Sequence, residues 1–328
     1  MNRKSIILTF ISAFILFSLL ISKRTGEKKS VEKIHLSSDR NLIWIPPDIK
    51  DIPNTKEGLQ ILYGRALIAN TAYYFGPKGT IGNAGNGMNC QNCHLEAGTK
   101  IFGNNFSKVA VGYPRFKDRS GSIESIEKKV EDCFQRSMNG NMIDSTGKEM
   151  KAMVAYLNWV GSKTNKNTSP PGSGIEDLPL MNRAADSSKG RMVFFRRCQS
   201  CHGRDGEGKL KENGFGYLYP PLWGKFTFNT GASLYRISKL AGFVKNNMPY
   251  GTTHSKPVLN NEECWDVAAY INSNFHPVIK TKGDYPDLAS KPFDYPFGPY
   301  AENKFSEKDH KLGPFIAIKK FYDSHKKK

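Results

Sequence analysis

Apolar residues recur at intervals of three and four along several segments, which is the pattern of amphipathic α-helices. The first helix is predicted to begin after a cap at Thr55. Its apolar positions share one face, namely Leu59, Leu62, Ala66 and Ala69. Another helix is predicted to run from Ser122 to the Asn139-Gly140 pair. Its inward positions are Ile123, Ile126, Val130, Cys133, Phe134 and Ser137.

The same pattern predicts two helices further along the chain. One covers residues 150–160 and follows a capping box formed by Thr146 and Glu149. The other is opened by Ser187 or Ser188, whose hydroxyl groups can cap a helix.

A closing helix is predicted to start at Asn260, with Glu263 completing its cap. Within this helix, Cys264 shares an apolar face with Val267, Ala268 and Ile271. A buried core thiol is therefore predicted at Cys264. Since helical patterns dominate, the fold is predicted to be mainly α.

An internal duplication relates the two sets of helices. The Gly-Arg pair at 64–65 is echoed at 190–191, and the segment 154–158 is echoed at 268–272. Two similar units are therefore predicted to follow one another along the chain.

Shifts in composition predict where these units begin and end. A basic start and an apolar run over residues 6–21 indicate a signal peptide or a membrane anchor, and either one exports the protein. The predicted organisation is a leader or N-terminal anchor at 1–30, a first domain at 31–165, a linker rich in Pro, Gly and Ser at 166–185, a second domain at 186–278, and a C-terminal tail at 279–328. The tail is rich in Pro, Tyr and Phe, so we expect it to wrap over both domains without forming helices, ending in a solvated basic segment at 326–328.

Each unit contains one copy of the motif Cys-x-x-Cys-His. The motif residues are Cys90, Cys93 and His94 in the first unit and Cys198, Cys201 and His202 in the second. This spacing lets two thiols bond a porphyrin covalently while the histidine binds its iron. One copy could be accidental or bind zinc, but two copies in duplicated units predict two class I cytochrome c-like domains. Each domain is expected to carry one covalently attached haem c.

The sixth iron ligand of the second haem is predicted to be Met248. It is the only methionine between the second motif and the closing helix, and it precedes a proline in an irregular loop. Lys239 and Lys245 lie close enough in sequence to replace it during a redox cycle.

Three residues compete for the sixth ligand of the first haem: Cys133, Met138 and Met142. Spacing from the motif favours Met138, which would produce two ordinary His/Met haems. The helical pattern instead turns Cys133 inward, either as a ligand or as a plain core thiol.

The chain has 328 residues, and 48 lysines and arginines against 30 acidic residues make its formal net charge +18. We find no nucleic-acid-binding motif and no basic stripe, so nucleic acid is excluded as a partner. An anionic substrate, an acidic redox partner or a membrane surface fits this charge better.

Several stretches resemble the dihaem thiosulfate dehydrogenases, also called tetrathionate reductases. They lie at 87–100 around the first motif, at 113–116 (Tyr-Pro-Arg-Phe), at 133–140 (Cys-Phe-Gln-Arg-Ser-Met-Asn-Gly), at 296–300 and at 310–315. The resemblance spans about residues 45–316. The Cys-x-x-x-Ser-x-Asn-Gly segment is specific, because ordinary relay cytochromes lack it.

The resemblance implies that Cys133 is both the distal ligand of the first haem and the catalytic residue, and that Met248 binds the second iron. Arg119 and Ser137 align with substrate-contacting positions of the family. Lys129 stands where the family has arginine, so the charge is retained but the bidentate fork is lost. Arg136 adds a further nearby cation to the predicted catalytic group.

The resemblance further implies a periplasmic oxidoreductase that interconverts thiosulfate and tetrathionate. Two thiosulfates become one tetrathionate and two electrons, with the chemistry at Cys133 and the electrons passing through the second haem. The electron partner is expected to be a separate redox protein, such as a small cytochrome c or a component of a membrane quinone pathway. The alternatives are a non-catalytic electron shuttle with Met138 as ligand and, less favoured, a dihaem peroxidase.

Overall fold

The computed structural model describes residues 43–166 and 168–325, and the predicted N-terminal leader and the basic end at 326–328 lie outside these residues. The α-helices are α1 (Lys56–Ala69), α2 (Thr71–Phe75), α3 (Leu95–Gly98), α4 (Val109–Gly112), α5 (Ile126–Asp132), α6 (Lys148–Gly161), α7 (Ser187–Arg197), α8 (Gln199–His202), α9 (Ile237–Asn247), α10 (Asn261–Ser273), α11 (Glu307–Leu312) and α12 (Phe315–His325). A π-helical turn spans Cys133–Ser137, and short 3₁₀ turns cover Ile49–Asp51, Cys90–Asn92, Ser233–Tyr235 and Leu288–Ser290. Two antiparallel hairpins pair β1 (Arg115–Lys117) with β2 (Ser122–Glu124) and β3 (Lys209–Leu210) with β4 (Tyr217–Tyr219). Among the described residues, no helix is long and apolar enough to cross a membrane.

Each unit is built on two helices that cross at a glycine. A Cβ atom on Gly64 of α1 would lie 2.0 Å from the carbonyl oxygen of Ala152 in α6. In the second unit, a Cβ atom on Gly190 of α7 would lie 1.8 Å from the carbonyl oxygen of Asp266 in α10. Only glycine permits this approach of two backbones. The repeated Gly-Arg pair therefore marks the same helix crossing in both units.

This crossing also corrects the predicted face of α1. Leu59 is 62% exposed and Leu62 is 41% exposed, whereas Leu67 and Ile68 are buried. The close contact at Gly64 determines which side of α1 packs against α6. The side that carries Gly64 therefore faces the core, and Leu59 and Leu62 do not.

Two of the predicted helix caps are confirmed. The Thr55 side chain accepts a hydrogen bond from the Gly58 amide at the start of α1. Asn260 and Glu263 form a reciprocal capping box at the start of α10. The buried thiol predicted at Cys264 is also confirmed, since this residue is fully buried.

Two other predicted caps are wrong. α6 begins after Gly147, because the Thr146 hydroxyl and amide both donate to the Asp144 carboxylate instead of forming a capping box. α7 is capped by Asp186, whose carboxylate accepts from two amides of the first turn, so neither serine is the cap.

The long helix predicted from Ser122 is shorter than expected. Residues Ser122–Glu124 form β2, and Ile123 is 73% exposed on that strand. α5 starts only after Ser125, whose hydroxyl accepts from the Lys128 amide. The second strand of the hairpin therefore replaces the first turn of the helix that the periodicity predicted.

The predicted linker packs against the first unit. The carbonyl oxygens of Pro171, Gly172 and Gly174 accept hydrogen bonds of 2.8 Å from the amides of Trp44, Phe102 and Asn104. Four second-unit side chains lie in the core cluster of the first unit: Phe228, Ala232, Leu234 and Phe243. The two units therefore share one continuous apolar interior.

The C-terminal part of the tail packs on the second unit, and the tail contains two helices that the sequence did not predict. Phe315, Ile318 and Tyr322 of α12 are buried in the core of the second unit. The Pro-rich part before them is held by Lys291, whose buried ammonium donates to the carbonyl oxygens of Phe297 and Pro299. The expectation that no helix forms in the tail holds only for this Pro-rich part.

Candidate active site

The two motif histidines have the same surroundings. In His94, Nδ1 lies 2.5 Å from the carbonyl oxygen of Asn104, and in His202, Nδ1 lies 2.8 Å from that of Pro220. A carbonyl oxygen only accepts, so Nδ1 carries the proton and Nε2 keeps its lone pair. Neither Nε2 bonds to a described residue. A hydrogen bond from Nδ1 to a backbone carbonyl oxygen is how proteins orient a histidine whose Nε2 binds a metal.

The motif cysteines of the first unit also suit covalent attachment. Burial, with a smaller contribution from the charge of Cys133, raises the pKa of both Cys90 and Cys93 to about 12. An apolar site of this kind favours neutral thiols and the thioethers that they form. The donor set and its orientation therefore fit a haem c, and they place Cys133 within electrostatic range of the motif.

Cys133 begins the π-helical turn that follows α5. Its amide donates to the carbonyl oxygens of Lys129 and Val130, while its own carbonyl oxygen accepts from the Met138 amide at 2.9 Å. This bond spans five residues instead of four, which defines the π turn. Such turns occur often at functional sites, because they change the direction of the side chains that follow.

Met138 and Met142, the other two candidate ligands, have different surroundings from Cys133. Met138 is buried in the first core, and its Sδ-methyl end packs beside Gly85. Met142 is 52% exposed. Cys133 is the ionisable candidate of the three, and it lies within electrostatic range of both motif thiols.

Lys129 and Ser137 flank Cys133 at four residues on either side. Both side chains are partly buried, and neither forms an ion pair or a side-chain hydrogen bond with a described residue. The Lys129 charge helps to lower the pKa of His94 to about 4, although burial is the main cause. Lys129 and Ser137 therefore have an ammonium and a hydroxyl that no described side chain binds, four residues before and after Cys133.

Arg119 and Arg136 are held differently, because both face Asp284 in the segment after the second unit. Arg136 binds this carboxylate with two nitrogens at 2.8 and 3.0 Å. The Arg119 Nε lies 4.0 Å from it, and Nη1 donates to the Gly231 carbonyl oxygen at 2.9 Å. Arg136 is thus occupied by a bidentate ion pair, whereas Arg119 has a longer contact with Asp284 and also interacts with Gly231 and Tyr285.

Sequence reasoning did not single out Arg115 and Lys117 of the β1–β2 hairpin, or Asp284. The guanidinium of Arg115 and the ammonium of Lys117 lie 5.4 and 5.0 Å from the ring centroid of Tyr113. Arg115 does lie in the Tyr-Pro-Arg-Phe stretch that carried the family resemblance. Asp284 offers no signal, because the two arginines that face it precede it by more than a hundred residues.

Met248 follows the last residue of α9 and contacts both core clusters. The preceding Asn247 donates to the Phe102 carbonyl oxygen at 3.1 Å, in the loop that also holds His94. Lys239 and Lys245, the proposed replacements for Met248, are bound to Asp177 and to the Leu259 carbonyl oxygen. The second site is thereby joined to the histidine loop of the first.

Comparison with known proteins agrees with this arrangement. Residues 82–164 match the family described as SoxA/TsdA, cytochrome c domain, and residues 187–275 match the family described as Cytochrome c. Thiosulfate dehydrogenase of Stutzerimonas stutzeri strain A1501 is 36% identical over 232 residues, which cover 71% of this chain and 72% of that relative. The chain belongs to the thiosulfate dehydrogenase family.

Two further relatives extend the comparison. Thiosulfate dehydrogenase of Allochromatium vinosum is 34% identical over 233 residues, covering 70% of this chain and 83% of that one. The solved thiosulfate dehydrogenase (TsdBA) of Marichromatium purpuratum, in its as-isolated form, superposes with a TM-score of 0.64 and 27% identity. That match covers 70% of this chain but 49% of the other, so this chain spans about half of that longer protein.

These comparisons confirm the fold class and the cofactors that the sequence predicted for this protein. The protein is mainly helical and has two cytochrome c domains, which carry two covalently attached haem c groups.

Proposed function

We propose that the protein interconverts thiosulfate and tetrathionate, with the sulfur chemistry at Cys133. The observation that carries this proposal is the position of Cys133 on a π-helical turn, within electrostatic range of the first haem motif and flanked by an unpaired lysine and a free hydroxyl. An electron shuttle needs none of these groups. Its expected ligand, Met138, is buried beside Gly85.

The reaction divides into two balanced steps at the Cys133 sulfur. In the first, the thiolate and one thiosulfate form a sulfur–sulfur bond, giving Cys133–S–S–SO₃⁻ and releasing two electrons. In the second, another thiosulfate attacks the sulfur atom that is bound to Cys133. The Cys133–S bond breaks, tetrathionate leaves, and the thiolate is restored. Covalent catalysis of this kind replaces the collision of two dianions by two easier steps.

The cationic residues suit this chemistry. Lys129 and Arg119 offset the negative charge of the approaching oxyanions, and the Ser137 hydroxyl can donate a hydrogen bond to a sulfonate oxygen. The bidentate pair between Arg136 and Asp284 gives Arg136 a positioning role, since it ties the π turn to the segment after the second unit. The two haem c groups would supply one-electron redox chemistry, and His202 and Met248 are the residues that would hold the iron of the second haem.

The electron partner is proposed to be an acidic redox protein, such as a small cytochrome c or a component of a membrane quinone pathway. The support is the net charge of +18, which attracts an acidic surface. We also place the protein in the periplasm, because residues 1–21 have the pattern of an export signal and haem c attachment in this family takes place outside the cytoplasm.

The test compares the wild type with Cys133→Gly, both loaded with haem. Tetrathionate reduction is measured with a reduced dye and thiosulfate oxidation with an artificial electron acceptor. We expect Cys133→Gly to lose at least about a thousandfold in kcat, as removal of a covalent nucleophile does. Cys264→Ala is the matched control, because it removes a thiol that is fully buried elsewhere, and we expect it to keep its activity.

The alternatives make different predictions for the same proteins. If the protein were a shuttle, neither wild type nor Cys133→Gly would turn over either sulfur compound, and Met138→Leu would change the absorption spectrum of the first haem. A dihaem peroxidase would consume hydrogen peroxide with reduced dye at a rate indifferent to Cys133→Gly.

A further inference from the structure

A cavity of about 670 Å³ lies between the β1–β2 hairpin and the C-terminal tail. One wall consists of hairpin residues and of α5, and it contributes four cationic side chains: Arg115, Lys117, Arg119 and Lys129. The opposite wall contains Tyr285 and Phe293 of the tail. Lys129, which lines this wall, lies four residues before Cys133, so the cavity reaches the helical turn that precedes the proposed catalytic residue.

The charges that line the cavity are not balanced within the described residues. Most of its other charged groups are paired: Asp132 with Lys128, Asp177 with Lys239, Arg236 with Asp294, and Lys319 with Asp323. Arg115, Lys117 and Lys129 have no carboxylate within 4 Å among the residues described. The remaining carboxylates are Asp118, which is exposed, and Glu124, which is buried. The hairpin side of the cavity therefore holds a cluster of four cations with only two unpaired carboxylates of the described chain, Asp118 and Glu124, beside them.

Lys117 lies at the centre of this cluster. Its side chain is partly buried, and its ammonium lies 5.0 Å from the ring centroid of Tyr113. Tyr113 in turn lies within electrostatic range of Cys133, whose sulfur helps burial to raise the pKa of this phenol to about 12. Tyr113 therefore contacts the Lys117 ammonium and feels the charge of Cys133.

A partly buried ammonium among like charges is costly, since buried charges in proteins are normally paired. Burial first, and then the charges of Arg115 and Lys129, lower the pKa of Lys117 to about 8. A bound anion would remove this cost. The proposed reaction requires such an anion, because a second dianion must reach the sulfur already attached to Cys133.

We propose that Lys117 binds the sulfonate of the second thiosulfate, which is the leaving half of tetrathionate in the reverse direction. This inference rests on the proposed function, and it assigns the cavity as the second oxyanion subsite. The Cys133 side holds the first thiosulfate with Lys129 and Ser137, while Lys117 and its hairpin neighbours hold the second.

The test follows one step that needs no electron acceptor. The Cys133 thiolate attacks tetrathionate, a sulfur–sulfur bond of tetrathionate breaks, and thiosulfate leaves while Cys133–S–S–SO₃⁻ forms. Intact-protein mass spectrometry of the haem-loaded enzyme measures the rate of this adduct at limiting tetrathionate. We expect Lys117→Met and Lys117→Gln to slow it about tenfold, which is the effect of losing one charged contact of ordinary strength.

The controls separate binding from folding. Lys78→Met removes the same charge from an exposed site of the first unit and should react as fast as the wild type. Lys117→Arg should restore the rate, because it restores the cation. All variants should melt within a few degrees of the wild type.

Three results would overturn the inference: neutral Lys117 variants that react as fast as Lys78→Met, a slow Lys117→Arg, or a loss of rate that follows a loss of melting temperature. A wild type that forms no Cys133 adduct and turns over neither sulfur compound would instead reject the proposed function itself.

Discussion

Lys117 and Arg136 are both cations of the first unit, yet their surroundings give them different roles. Arg136 is neutralised by a bidentate carboxylate, so its charge is committed to holding the π turn in place. Lys117 has an aromatic ring beside it and no carboxylate within 4 Å among the described residues. Whether a cation serves structure or substrate is thus decided by its partners, and not by its distance from Cys133 along the chain.

The pKa of Lys117 leads to a prediction about pH. Lys117 is protonated below its pKa of about 8 and neutral above it, and only the protonated form attracts a sulfonate. The KM for tetrathionate should therefore stay constant up to about pH 8 and rise above it. The charged groups that act on Lys117 are Arg115, Lys129, Glu124 and Arg119. Steady-state kinetics between pH 6 and about 10 measure this rise.

Lys117→Arg is the control for the pH prediction, because guanidinium stays protonated throughout this range. Its KM should remain flat where that of the wild type rises. An equal rise in both proteins would assign the pH dependence to another group.

At the level of secondary structure, the site depends on short elements that interrupt regular helices. The hairpin directs Arg115 and Lys117 toward Tyr113, and the π turn directs Cys133 toward the motif. The long helices provide the frame that holds these elements. Their packing is determined by the two glycine crossings.

The glycine crossings can be tested by adding one methyl group. Gly190→Ala places a Cβ 1.8 Å from the Asp266 carbonyl oxygen, so α7 and α10 must move apart. We expect a loss of about 3 kcal/mol in the free energy of unfolding, as overpacking of a tight contact produces. Gly112→Ala is the matched control, because its Cβ would have no atom within 4 Å. Thermal unfolding followed by circular dichroism compares the two, and equal stability would contradict the role of the crossing.

At the level of the whole molecule, the first unit depends on contacts from distant parts of the chain. Asp284 orients two arginines of the first unit, and Asn247 reaches the loop that holds His94. The linker fastens to the same unit through three backbone hydrogen bonds. The candidate site is therefore completed by the second unit and the tail.

Asp284→Asn tests this dependence. The carboxylate is largely buried, and its replacement leaves Arg119 and Arg136 without their counter-charge. We expect a loss of about 3 kcal/mol in stability, the usual cost of breaking a buried ion pair. Asp177→Asn is the control, since its pair with Lys239 has an 80% exposed carboxylate and is worth less than about 1 kcal/mol. Equal melting temperatures for the two variants would show that Asp284 is not structural.

The sequence determined whatever depends on neighbours along the chain. The Cys-x-x-Cys-His spacing predicted both haem sites, because attachment requires a fixed separation of thiols and histidine. The capping residues Thr55 and Asn260 marked two helix starts, and the apolar face at Cys264 predicted its burial. The repeated Gly-Arg pair indicated the duplication, although not its cause.

Only the tertiary structure decided which side of each element faces inward and which charges remain unpaired. Periodicity placed Leu59 and Leu62 in the core, but the backbone contact at Gly64 turned them to the surface. The local sequence grouped Arg136 with Lys129 as cations near Cys133. In the fold, Asp284 pairs with Arg136 but not with Lys129. Burial and charge pairing depend on groups brought together by folding, and a local pattern does not contain that information.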